Sequence, residues 1–292
     1  MNGNRLIDAL LGLGLLVLAL PAAAETPEFL RIDVTPDGQP RALQVAVAGY
    51  RAPDGAELDL VGAVHVADAA YFHALNRVFD DYDVVLYELV GDPDAARSAP
   101  EARGSSAIGW LQGGMKDVLG LAFQLDEIDY RRDHFVHADM TAEEFSASMR
   151  ERNESVLQLL FRAWIAGLAQ QTPEQAASAQ ADLLKVLFAD DRQHALKTMF
   201  AEQLAGQKDL LDAMAGPDST LIVQRNLKAL DVLEQVGREG HERIALFYGA
   251  GHFPDFHQRL VGELGYEPTG ITWLDAWRLD RPASPRGPID EG

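Results

Sequence analysis

Two short stretches of this chain carry the same residue types at the same offsets. They are Gly62-Ala63-Val64-His65-Val66-Ala67-Asp68 and Gly249-Ala250-Gly251-His252-Phe253-Pro254-Asp255. Imidazole binds transition metals and moves protons near neutral pH. A glycine three residues earlier lets the backbone turn tightly and leaves space for a ligand. Each copy follows an apolar run and precedes a helical pattern. In open α/β sheets the ligand site lies beyond the carboxyl ends of the strands, and both imidazoles would sit there. The matched context predicts that His65 and His252 share one site. Asp68 and Asp255 have the spacing of helix N-caps.

Glu88 is the third element. It interrupts the apolar run Asp83–Leu89, and a carboxylate in a buried strand is costly unless it is paired or bound to metal. Two neutral imidazoles and a carboxylate suit Zn²⁺, Mn²⁺ or Co²⁺ and leave positions open for water. Such an ion lowers the pKa of its water, and a nearby carboxylate can take the proton. Glu88 could be ligand or base. His137 and Asp139 fall on one face if their segment is extended; they complete the site or cap the helix that follows. Arg225, beside Asn226 in a helical stretch from Leu221 to Val236, could bind a substrate carboxylate or a developing oxyanion, or make an ordinary surface ion pair. His73, His194, His241 and His257 lack comparable context. Trp110, Met115 and Phe123 read as core.

The elements that must position these groups begin with a strand meander. Phe29–Val34, Ala42–Tyr50 and Leu58–Val64 are strand candidates, separated by Pro36-Asp37-Gly38 and Pro53-Asp54-Gly55, which are turn sequences. A helical pattern runs from Asp68 through Phe79, and Asp83–Leu89 reads as the next strand. Strand, helix and strand predict a parallel pair in a right-handed crossover. Residues 91–108 read as a loop, with the character of a lid, and a helix is expected over 109–124. Phe135–Ala138 is a short strand candidate. A capping box opens at Thr141 and a second helix start at Thr172-Pro173. Residues 141–237 therefore form a large helical insertion. Ile244–Tyr248 is a buried-strand run, and Gly265 to Trp277 adds a last strand. The expected fold is α/β, with a central mixed or parallel sheet.

Residues 1–24 read as a cleavable signal peptide, with a short apolar run, Pro21 and then Ala22-Ala23-Ala24. That run is too short to span a bilayer. The mature chain, 25–280, is expected as one soluble domain in the periplasm or outside the cell, with no membrane span after cleavage and a disordered tail over 281–292. Hydrophobic residues at 47% and charged residues at 24% are ordinary for a globular chain. A net charge of −20 repels nucleic acid and anionic lipid but attracts cations. The absence of cysteine removes disulfides, thiolate metal sites and a thiol nucleophile.

Three segments, DLVGAVHVADAAYFHALN, DVVLYELV and LFYGAGHFPDFHQRL, together with QRN at 224–226, resemble the TraB/PrgY/GumN family. The resemblance covers most of residues 40–275. That family is related to the Tiki proteases and more distantly to erythromycin esterases and haem-binding ChaN proteins. The resemblance implies an EreA/ChaN-like α/β fold whose two Gly-x-x-His motifs and strand-end Glu form the active centre. It implies His65 and His252 as metal ligands, Glu88 as the acid and Arg225 as the arginine. Leu89 departs from the pattern, which has a small residue such as Gly after the Glu. The expected function is an exported divalent-metal-dependent hydrolase of peptide or ester bonds acting on a peptide or small molecule. The alternative is a non-catalytic protein of the same fold that binds a peptide signal or haem-like ligand. The helical insertion offers surface for a homo-oligomer.

Overall fold

The computed structural model describes residues 27–94, 119–155, 186, 188–206, 216 and 218–280. The leader, the tail, most of the 91–108 loop, residues 109–118 and the helix start at Thr172 lie outside the described residues.

The meander forms as the turn sequences direct. Strands β1 (Leu30–Val34), β2 (Pro40–Arg51) and β3 (Glu57–Ala63) pair antiparallel in succession. Gly38 and Gly55 take φ of 81° and 99° in the two turns, which other residues rarely adopt. A last strand, β9 (Glu267–Arg278), also pairs antiparallel with β2, over Ala42 to Arg51. That stretch overlaps the partners of both β1 and β3. Since a strand has two edges, β1 and β3 share one and β9 holds the other.

Beyond β3 the sheet is parallel. Strand β8 (Arg243–Gly249) lies beside β3, β5 (Val84–Tyr87) beside β8, and β7 (Phe135–His137) beside β5. The parallel crossover from β3 through the helix Ala69–Val78 to β5 is present, but its two strands are not neighbours. β8 lies between them, with Leu246 opposite Leu60 on one side and Leu86 on the other. The reason is composition: Ile244 to Tyr248 is apolar on both faces and buried throughout, as a central strand covered by helices must be.

Alternation along these strands feeds two cores. Val61, Val85 and Phe247 face the helix Ala69–Val78 through Tyr71, Phe72 and Leu75. Leu60, Val84, Leu86, Leu246 and Tyr248 face the helices Arg225–Arg238 and Phe253–Gly262 through Ala229, Leu233, Phe253 and Phe256. The described part of residues 141–237 is helical, with Ala142–Glu151, Arg192–Ala205 and Arg225–Arg238. The last of these packs directly on the sheet. Within the expected helix 109–124, Ala122–Phe123 instead form a strand, β6, paired antiparallel with β4 (Val66–Ala67). Leu119 before β6 is helical, and a short helix, Gln124–Glu127, follows it. Among the described residues no helix is long and apolar enough to cross a membrane.

Candidate functional site

Because β3, β8, β5 and β7 run parallel, their carboxyl ends lie at one end of the sheet. Glu88 follows β5 directly. Alternation carries it to the face of Val84 and Leu86, beneath the helix Arg225–Arg238. Its backbone N–H still donates to Phe247 O at 3.1 Å, which holds it in line with the sheet. Its side chain is buried, and its Oε2 accepts from Gly249 N–H at 2.6 Å.

Arg225 is the hub. It opens its helix after a π-helical turn, Thr220–Gln224. Its Nη2 donates to Glu88 Oε1 at 2.5 Å and to Asp139 Oδ2 at 2.6 Å, and its Nε donates to Asp139 Oδ1 at 2.9 Å. Asp139 is carried there by the chain leaving β7, where Ala138 N–H donates to Tyr87 O and Ala138 O accepts from Tyr248 Oη at 2.5 Å. Burial disfavours the guanidinium charge, but Asp139 and Glu88 outweigh that and raise its pKa. Of the two readings open for Arg225, the ordinary surface ion pair gives way to a buried one. Two carboxyl groups face one guanidinium, and the cluster keeps a formal negative excess that a cation would offset.

His252 closes the short 3₁₀ turn Ala250–His252 and is buried. Asn226 determines its tautomer. The Asn226 Nδ2 group donates to His252 O at 3.0 Å and to Asp255 Oδ2 at 2.8 Å, so Oδ1 is the acceptor left for the ring. His252 Nδ1–H donates to it at 2.5 Å. The lone pair then lies on Nε2, 3.4 Å from Arg225 Nη1 and 3.6 Å from Glu88 Oε1. Burial pushes the imidazole down to about 4; Glu88 opposes the shift and Arg225 adds to it. His252 is therefore neutral at pH 7. Burial acts to raise Glu88, but His252, Arg225 and His65 outweigh it and hold the carboxyl at about 2.

His65 stands at the exposed rim, past the end of β3. Its imidazole, when protonated, lowers both Glu88 and His252, but its hydrogen-bond partner is Gln124, whose Oε1 lies 3.2 Å from Nδ1. His137 and Asp139 part company. Asp139 binds Arg225, whereas His137 Nε2–H donates to Leu89 O at 2.7 Å. Neither caps the next helix, because Thr141 and Glu144 do so with a reciprocal capping box. Asp68 occupies an N-cap position but makes no capping bond; it accepts from Lys197 Nζ at 2.6 Å and from Arg278 N–H at 2.7 Å. Asp255 lies inside its helix and takes Asn226 and Arg259 instead.

The donors suit a divalent ion in kind: an ionised carboxylate, a neutral imidazole with its Nε2 lone pair free of a proton, and excess negative charge. As the side chains stand, no three His, Cys, Asp or Glu among the described residues are grouped to hold one. Arg225 Nη2 already meets the Glu88 oxygen that faces His252. Sequence reasoning missed Gln124 altogether and gave Asn226 no task. The signal for Gln124 lay in a two-residue strand pairing, too short to register as periodicity. No protein-family model matches the chain, and no curated protein matches it.

Proposed function

We propose that this chain is an exported divalent-metal-dependent hydrolase of peptide or ester bonds, with an EreA/ChaN-like fold of the TraB/PrgY/GumN kind, acting in the periplasm or outside the cell. The observation that carries the reading is the buried meeting of Glu88, His252 and Arg225 at the ends of adjoining parallel strands. His65, Glu88 and His252 would hold the ion, whether zinc, manganese or cobalt. The ion would polarise the substrate carbonyl and acidify a bound water.

The protein's own groups have distinct tasks. A carboxyl held near 2 is a weak proton acceptor, so its charge state serves Glu88 as a ligand rather than as a base. His252, neutral and fixed by Asn226, presents Nε2 without needing to lose a proton. Asp139 holds Arg225 through Nε and through the Nη2 that Glu88 also meets, and so fixes the plane of a guanidinium that can steady a developing oxyanion. The negative excess around it favours a substrate whose reacting group is neutral.

The test is metal analysis of the purified mature protein beside a His65→Ala/His252→Ala variant, with hydrolysis of peptide and ester substrate panels before and after chelation. Stoichiometric metal in the wild type, lost in the variant together with turnover, is the expected result. Equal, substoichiometric metal in both would remove the shared centre. The grip of Arg225 on Glu88 Oε1 favours a second reading, an imidazole-based hydrolase with no ion; turnover that survives chelation selects it. Retention of a ligand without product selects the binding protein.

A further inference from the structure

We propose that Gln124 is a positioning residue that holds His65 in the Nδ1–H tautomer, leaving Nε2 as its lone-pair nitrogen. The inference deepens the hydrolase reading but stands on separate geometry. Strands β4 and β6 pair Val66 with Phe123 and Ala67 with Ala122. One step further along that antiparallel register, Gln124 falls opposite His65, and Gln124 N–H donates to His65 O at 3.0 Å. The two residues are thus joined by backbone before their side chains meet.

The side-chain amide also meets a third residue. Gln124 is buried, and its Nε2 donates to Tyr130 Oη at 2.9 Å. Its Nε2 lies on Tyr130, and the end that reaches His65 Nδ1, at 3.2 Å, is Oε1. An amide oxygen accepts and cannot donate, so a neutral His65 must carry its proton on Nδ1. Free imidazole prefers the other tautomer, so the clamp has a real effect. Asn226 treats His252 in the same way: a side-chain oxygen sits on Nδ1 while the amide nitrogen is committed elsewhere. The two amides come from unrelated elements and reach the same result. Such outer partners fix ring orientation and raise the basicity of the other nitrogen, whether that nitrogen meets an ion or a proton.

The experiment is nitrogen-15 NMR of histidine-labelled protein at alkaline pH, where imidazoles are neutral, with His65 assigned through His65→Gln. Wild-type His65 is expected as Nδ1–H. Gln124→Leu is expected to move it toward Nε2–H, and Gln124→Glu, which keeps an acceptor oxygen, to restore Nδ1–H. Wild-type His65 found as Nε2–H overturns the proposal outright, even if no variant folds. A folded Gln124→Leu whose His65 stays Nδ1–H also overturns it. On a hydrolysed substrate, Gln124→Leu is expected to lower kcat about tenfold or more with KM little changed, and Gln124→Glu to recover most of the loss. Because the tautomer is read without substrate, failure of the hydrolase reading leaves it measurable.

Discussion

Gly249 and Glu88 are bound across neighbouring strands, and the glycine leaves little room for anything larger. Its N–H donates to Glu88 Oε2 at 2.6 Å, and a Cβ at that position would lie 3.2 Å from the same oxygen and 3.7 Å from His252 Cδ2. Its φ of −52° suits any residue, so space rather than backbone conformation is the constraint. Gly249→Ala should fold with stability within about 0.5 kcal/mol of the wild type. The carboxylate must yield by a few tenths of an ångström, and kcat/KM should fall about tenfold. Denaturation and steady-state kinetics on one preparation check both halves, and unchanged kinetics would free Glu88 from the account.

Gly62, the matching residue of the first motif, has a different job. A Cβ there would lie 2.0 Å from Val45 Cγ1 and 2.9 Å from Ala46 O, so both a packed side chain and a backbone oxygen of β2 oppose it. Gly62→Ala should cost about 1–3 kcal/mol of stability by overpacking, read as a lower urea midpoint. A neutral result would mean that β2 and β3 separate more easily than their register implies.

Arg225→Met should be the most damaging single change. It leaves Glu88 and Asp139 buried without their shared guanidinium, which typically costs about 3–5 kcal/mol. Adding Asp139→Asn removes one of the stranded carboxyl groups and should return part of the loss. The double variant compared with both single ones in urea measures the coupling. Simple additivity would contradict a guanidinium shared by Glu88 and Asp139.

The pH dependence follows from the depressed groups. His252 has a folded pKa of about 4 against an ordinary 6.5, so between those values the unfolded chain binds the proton that the folded chain refuses. Its contribution is complete above about pH 6.5 and is lost as pH falls through 4. Glu88 continues the trend, from an ordinary 4.5 down to about 2. The urea midpoint should therefore decline steadily as pH drops below neutrality. His252→Gln should flatten the upper part of that decline, and an identical profile in the variant would refute the assignment.

Much of the scaffold was legible because short patterns sufficed. The turn sequences gave the meander, the apolar runs gave the strands, and the strand-end placement of His65, Glu88 and His252 put them at one end of the sheet. The neighbour relations were not legible. Nothing local to Val84–Tyr87 says that residues from the far end of the chain will lie beside it. The repeated motif also misled in detail. Gly62 pairs with Tyr248 and Ala63 with Gly249, so the copies are offset by one residue. His252 then sits buried in a turn while His65 stands at the rim. The His-x-Asp spacing at 137–139 identified Asp139, but its partner Arg225 lies far along the helical insertion, and no periodicity links them.

The central position of β8 has a consequence for order of assembly. β3 and β5 are synthesised early and can take β2 and β7 as neighbours, yet the edge that each turns toward the other stays open until a strand that starts at Arg243 fills it. Contacts so distant in sequence are slow to close. Until then the polypeptide carries its histidines and its acid on separate, unfinished pieces. Whatever reactivity the finished centre possesses is withheld while the chain is being made, and it arises only once that last parallel strand is in place.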